Sequence, residues 1–207
     1  MGDRLAAGNP AIALLANSLA TAAILVVLII CLAPLSGAHF NPAVTLSAYL
    51  QRIVTARIAL AYCAVQVAGA IAGTLVAHLM FDLVPLEIGT RPRTGWSLWF
   101  SEFIATAGLI GTIIATMRHK PQAIAYTVAL YIGAAYWFTA STSFANPAAS
   151  IARGFTNSFA GIALAHVPMF AVVEFGAALL TTLLCAWLFG RARMDAPATS
   201  QTMKVRG

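Results

Sequence analysis

The chain has 207 residues, of which 60% are hydrophobic and 9% charged, and its mean hydropathy is +0.85. A soluble globular domain carries about 25% charged residues, so this composition belongs in a bilayer, and no stretch reads as a soluble domain or a long linker. The net charge of +6 comes from basic residues in short loops between apolar runs, which is orientation chemistry and excludes a nucleic-acid footprint.

In chain order, the first apolar run lies near 10–33. It is too long for a signal-peptide core and lacks a strongly positive leader, so it reads as a span that stays. A bilayer core of ~30 Å takes about 20 apolar helical residues. Four further runs meet that length, at roughly 57–81, 97–117, 122–142 and 168–189. Two shorter apolar pieces lie near 42–51 and 147–156; at about ten residues, or ~15 Å of helix, each reaches half-way across. Each opens with the same tripeptide, Asn41-Pro42-Ala43 and Asn146-Pro147-Ala148. Proline is preset for the first turn of a helix and asparagine is a good N-cap. The two breaks are therefore helix starts, and they form a pair.

The basic residues set sidedness. Arg52 and Arg57 follow the first short helix, Arg118 and Lys120 join the third and fourth spans, and Arg191, Arg193, Lys204 and Arg206 follow the last. Alternating spans put these on one face, which should be cytoplasmic together with the C-terminus. Arg4, Arg91, Arg93 and Arg153 fall opposite. The two short helices then enter from opposite faces, as in an inverted-topology repeat with discontinuous helices. Their N-termini, meeting near the midplane, present partial positive charge and free N–H groups, to which Asn41 and Asn146 add amide donors. A neutral hydroxylated solute exchanges water hydrogen bonds for these, while cations and protons meet an electrostatic barrier. Cys31, Cys63 and Cys185 sit inside apolar runs without ligand spacing and read as small hydrophobes. No metal, cofactor or catalytic constellation is expected, since no HExxH, paired Asp or Ser/His set shares one depth.

The half-helices in "SGAHFNPAVTL" and "TSFANPAASIARGF", with "SEFIAT" at 101–106 and "YCAVQVAGAIAG" at 62–73, resemble the aquaporin and aquaglyceroporin superfamily over nearly the whole chain. The stretch "NPAASIARGFTNSFAGI" has no arginine directly after the motif, and in this it is most similar to the bacterial branch associated with arsenical resistance. The resemblance implies an all-α membrane protein with an aquaporin-like inverted repeat. Here it would comprise five transmembrane helices and two re-entrant half-helices in one channel domain, with 1–95 an incomplete first repeat and 96–207 the second. The incompleteness follows from spacing. Glu102 precedes Asn146 by 44 residues (146 − 102), enough for two spans, whereas Asn17 precedes Asn41 by only 24 (41 − 17). The family's first span and its buried glutamate are thus expected to be missing, through a start codon assigned too late or a truncated gene product; a genuine five-span channel is the third option.

Offsets from the two asparagines carry the family's filter positions onto Thr21, Ala134, Ser143 and Ala149. All four are small, which implies a wide, mildly polar constriction. Arg153, four residues beyond Ala149, either replaces the missing filter arginine, or snorkels to the interface or caps a helix C-terminus. His39 is expected to brace its loop, and Glu102 to accept backbone N–H bonds of a re-entrant loop. Glu174 occupies the place that Gln66 holds in the other half, which points to packing or loop anchoring. The function implied is a passive channel of the bacterial inner membrane for small neutral solutes: water, glycerol-like polyols, arsenite or methylated arsenicals. A homotetramer is implied, each protomer with its own pore in the lipid bilayer. Two alternatives stand beside it. One is an ion- or proton-coupled secondary transporter, for which only Glu102 and Glu174 could line the route; the other is a non-conducting truncated remnant.

Overall fold

The computed structural model describes residues 1–190, and these contain helices, turns and loops with no strand. The basic residues Arg191, Arg193, Lys204 and Arg206 lie outside the described residues. A single turn, α1 (Gly2–Leu5), precedes the long α2 (Pro10–Ser36). Asn9 caps α2 by accepting from the N–H groups of Ala11 and Ile12, and Pro10 takes the first helical position. The helix runs through Pro34 to Gly37, whose φ of 74° ends it in the left-handed conformation that glycine tolerates. The half-helix α3 (Pro42–Leu50) follows, then α4 (Ala56–Met80), started by the Thr55 hydroxyl.

The second half again sets a half-helix before a long helix, but with two helices ahead of it rather than one. α5 (Trp96–His119) leads through a 3₁₀ turn at Pro121–Ala123 into α6 (Ile124–Phe138), and the half-helix α7 (Pro147–Arg153) precedes α8 (Val167–Phe189). Four stretches are long and apolar enough to cross a membrane: Pro10–Ser36, Ala56–Met80, Trp96–His119 and Leu164–Phe189. α6 is shorter than its expected run to residue 142, with 15 residues or ~22 Å of helix. It stops because Thr139 turns extended (φ −108°, ψ 140°) and Thr142, Ser143 and Ala145 then adopt positive φ.

Packing is by pairs: α5 lies along α8, and α2 along α6. The two half-helices are strung along α8. Glu174 bonds the start of α7, Ala178 packs with Ala43 near the start of α3, and Thr182 bonds Ser47 further along α3 at 2.7 Å. Contacts thus run from α7 to the tip of α3 to its body over eight residues (182 − 174), or ~12 Å of helix. The half-helices therefore oppose each other tip to tip. α4 leans chiefly on α7 and α3. Of its 25 residues only His78 is buried, and Leu60, Val65 and Met80 are each over 70% exposed.

On the face opposite the α5–α6 junction, the segment between α4 and α5 is stitched across the loop after α7. Gly89 donates to the Gly154 carbonyl at 2.8 Å and accepts from Leu164 at 3.2 Å, and Ala163 donates to Arg91 at 2.7 Å. The Asn157 side chain accepts from the Thr90 N–H at 2.7 Å and donates to Glu87 at 2.8 Å. A Cβ at Gly89 would collide with the carbonyl of Ile162, which is backbone and cannot swing aside. Gly89→Ala should therefore destabilise the protein by about 1–3 kcal/mol. Thermal unfolding in detergent checks this, and an unchanged midpoint would show that the crossing is loose.

Candidate functional site

The site is made by two short helices whose caps do more than cap. Asn41 (φ −154°, ψ 121°) accepts the Ala43 N–H through Oδ1, and Asn146 (φ −159°, ψ 107°) accepts those of Ala148 and Ala149. The opposite edge of each amide reaches across. Asn41 Nδ2 donates to the Ala145 carbonyl at 2.7 Å, and Asn146 Nδ2 donates to the Phe40 carbonyl at 3.0 Å. Each asparagine thus holds the residue that precedes the other. Those residues share one backbone conformation, Phe40 at φ 49° and Ala145 at φ 48°. Left-handed φ costs roughly 1–2 kcal/mol for a residue bearing a Cβ, and the reciprocal bonds are what this strain aims the two carbonyls at. One amide hydrogen on each asparagine is spent on the partner loop, and the second is left for other acceptors. Pro42, Ala43, Pro147 and Ala148 are buried behind the caps.

The second loop is anchored by two fully buried acids. Glu102 of α5 accepts the Phe144 N–H at 2.8 Å and the Ala145 N–H at 2.7 Å. Glu174 of α8 accepts the Asn146 N–H at 3.1 Å and the Ser150 hydroxyl at 2.8 Å through the same oxygen. In the first loop, His39 Nδ1 lies 3.1 Å from Thr45 Oγ1, and Gln66 Nε2 donates to the same hydroxyl at 3.0 Å. The His39 and Tyr62 rings meet in a T-shaped pair at 5.5 Å between centroids. The N–H groups of His39 and Phe40, counterparts of those bound by Glu102, meet no acceptor among the described residues.

Beyond α7 the guanidinium of Arg153 covers the Phe144 ring at 4.1 Å and donates to the Tyr136 hydroxyl at 3.2 Å. That hydroxyl lies 3.4 Å from Thr21 Oγ1. Thr21 and Arg153 are thus brought together, through a residue that offset counting did not single out. Ser143 and Ala149 flank Asn146 in the same loop and helix start, and Ser143 is buried with its hydroxyl unpartnered. Ala134 does not join this group. It is exposed and lines an apolar groove with Leu15, Leu19, Leu130 and Trp137 that includes neither asparagine nor Arg153. It stands two positions before Tyr136 in α6, a rotation of about 200° that turns them to different faces. Tyr136 instead brings its bulk and a hydroxyl to the group formed by Thr21 and Arg153.

Arg93 was also missed, because loop contacts leave no periodic trace. Its side chain donates to the carbonyls of Gly161 at 2.9 Å and Ser141 at 3.1 Å and stands 5.1 Å from the centre of the Phe144 ring. Burial first, then the nearby charges of Arg153 and Arg91, lower its pKa to about 10, so it stays charged at neutral pH. Arg153 also borders a cavity of about 500 Å³ lined by Thr74, His78, Thr156 and Asn157. Among the described residues no group of three or more His, Cys, Asp or Glu could hold a metal ion.

Residues 4–137 match the major intrinsic protein family. The chain is 53% identical over 193 residues to an aquaglyceroporin, AqpS, of Rhizobium meliloti (strain 1021), covering 93% of this chain and 82% of that protein. It is 31% identical over 106 residues to the propanediol uptake facilitator PduF of Citrobacter freundii, covering 40% of this chain and 39% of the other. A helical membrane fold with two capped half-helices meeting tip to tip defines a solute channel. This chain belongs to the major intrinsic protein family, whose members pass small neutral solutes passively and are not enzymes.

The reciprocal amide bonds make the two asparagines one unit. Asn41→Ala and Asn146→Ala should each lower stability by about 1–3 kcal/mol. The double variant should cost less than their sum by about 1 kcal/mol, because parting the tips with one change already strains the other bond. Strict additivity in a thermal double-mutant cycle would mean that the bonds act independently.

Proposed function

We propose that solutes cross this protein between the facing tips of α3 and α7. The observation that carries the reading is the reciprocal asparagine pair, which sets two helix N-termini and two amide donors at one point. The pore motifs are then Asn41-Pro42-Ala43 and Asn146-Pro147-Ala148. The constriction falls at Thr21, Ser143, Ala149 and Arg153, with Tyr136 taking the place expected of Ala134. His39 and Glu102 brace the two loops. A neutral hydroxylated molecule hydrogen-bonds to the asparagine amides, the Thr21–Tyr136 pair and Arg153 in turn, whereas cations are repelled by both helix ends and by the guanidinium. Ala149 leaves room for solutes larger than water. The solutes that fit are glycerol-like polyols, arsenite and methylated arsenicals, besides water. The names of the aquaglyceroporin and propanediol-facilitator relatives support a polyol. The arginine-free start of α7 supports the arsenical-resistance branch.

We read 1–95 and 96–207 as two repeats of one channel domain, the first lacking a span. α8 is buried along α5, yet its counterpart α4 exposes an apolar surface, and the first loop lacks the carboxylate that Glu102 supplies to the second. A further apolar helix bearing a Glu, packed on α4, would meet both needs. Full solute flux from the 207-residue form alone would overturn this. The basic residues Arg52, Arg57, Arg118 and Lys120 support a cytoplasmic C-terminus in a bacterial inner membrane, and the family supports a homotetramer.

Stopped-flow swelling of proteoliposomes in water, glycerol and arsenite tests the function. Flux should persist with no gradient of H⁺ or Na⁺; a requirement for either would favour a coupled transporter. Ala149→Arg puts a long cation beside Arg153, and should reduce glycerol and arsenite flux several-fold more than water flux. Equal loss of all three would indicate misfolding, and unchanged flux would remove Ala149 from the pore.

A further inference from the structure

Glu174 is fully buried, and its two oxygens are unequally used. Oε1 accepts both the Asn146 N–H and the Ser150 hydroxyl, while Oε2 is buried with no hydrogen-bond partner. The neighbouring Glu102, also fully buried, has one N–H on each oxygen. The donors are the consecutive backbone groups of Phe144, Ala145 and Asn146, so the two carboxyls stand side by side across one short piece of chain. Every bond to the pair comes from a neutral donor. Two adjacent carboxylates in such a setting repel each other, and an anionic oxygen buried without a donor loses its solvation outright.

We propose that Glu102 and Glu174 hold a single proton between them, with Glu174 a neutral acid that donates through Oε2 to an ionised Glu102. Each Glu102 oxygen keeps a lone pair after accepting one N–H, so the pair can close this way. The unpartnered oxygen becomes a donor, and one negative charge remains where the strained Ala145 step needs an acceptor. Glu174 then acts as a positioning residue: its remaining oxygen fixes the Asn146 N–H and the Ser150 hydroxyl, and with them the start of α7. The other half of the chain supports this independently. Gln66 occupies the matching place on α4 and bonds Thr45, which stands four residues after Asn41 as Ser150 stands four after Asn146. A neutral amide therefore already holds this position once in the fold, and a protonated Glu174 is its acid counterpart.

Infrared spectroscopy of the full chain in lipid tests the proton directly, because the C=O stretch of a carboxylic acid is separate from carboxylate bands and shifts in D₂O. The wild type should show one such buried band, and Glu174→Gln should remove it. Flux supplies the second readout: Glu174→Ala should lower it about tenfold, and Glu174→Gln should recover most of the loss. Glu102→Gln should stay about tenfold low, since an amide there must point a donor at the Phe144 or Ala145 N–H. Absence of the band in the wild type, or its survival in Glu174→Gln, would overturn the proposal. So would a Glu174→Gln channel as impaired as Glu174→Ala. The infrared result does not depend on which solute the pore carries, so failure of this inference and failure of the channel reading are separable.

Discussion

Everything at the centre of this protein depends on bringing two helix N-termini face to face in a low-dielectric interior. Each carries roughly half a positive charge, so the tips repel unless something negative lies between them. The carbonyls of Phe40 and Ala145 fill that role, turned inward by their left-handed backbones and each gripped by the opposite asparagine. Asparagine suits this because its amide offers an acceptor on one edge and a donor on the other, held in one plane. A serine or threonine hydroxyl can also accept and donate, but from a single atom close to its own backbone, so it lacks the farther edge that lets asparagine cap one helix and reach the other.

The two halves meet this shared constraint with unequal means. The second loop has Glu102, Glu174 and the bracing Arg93 behind it, and its N–H groups at 144, 145 and 146 are all accepted. The first loop relies on the lateral His39–Thr45–Gln66 contacts, which fix the body of α3 more than the turn before it. The long helices repeat this imbalance. α8 has a partner along its length, whereas α4 is held chiefly by the two half-helices.

Much of this was legible in the residues themselves. An Asn-Pro pair ahead of a ten-residue apolar piece is a local signal, since cap and first turn are set within four residues, and both half-helices begin where the sequence puts them. The acid of "SEFIAT" was readable because an intramembrane carboxylate must find donors. Fixed-offset counting is blind to what happens between Phe138 and Asn146, where the chain takes three left-handed steps, and it did not single out Tyr136, whose hydroxyl lies beside Thr21 and Arg153. Arg93 was illegible for another reason. Its partners at 141, 159 and 161 are distant in sequence, and nothing in "GTRPRTGW" announces them.

The bonds between the tips join residues 104 and 106 positions apart, which gives them a place in time as well as in space. Asn41 can find its carbonyl only once the chain has been made past Ala145, after α5 and α6 have been threaded. At ordinary synthesis rates of about 5–20 residues per second, the first half-helix waits on the order of ten seconds with its amide unpaired. The meeting of the two tips thus closes late, and the bonds that Glu174 and Thr182 add to the half-helices close later still. A chain stalled before that point holds a first loop in which the Asn41 amide lacks the carbonyl it grips in the finished fold.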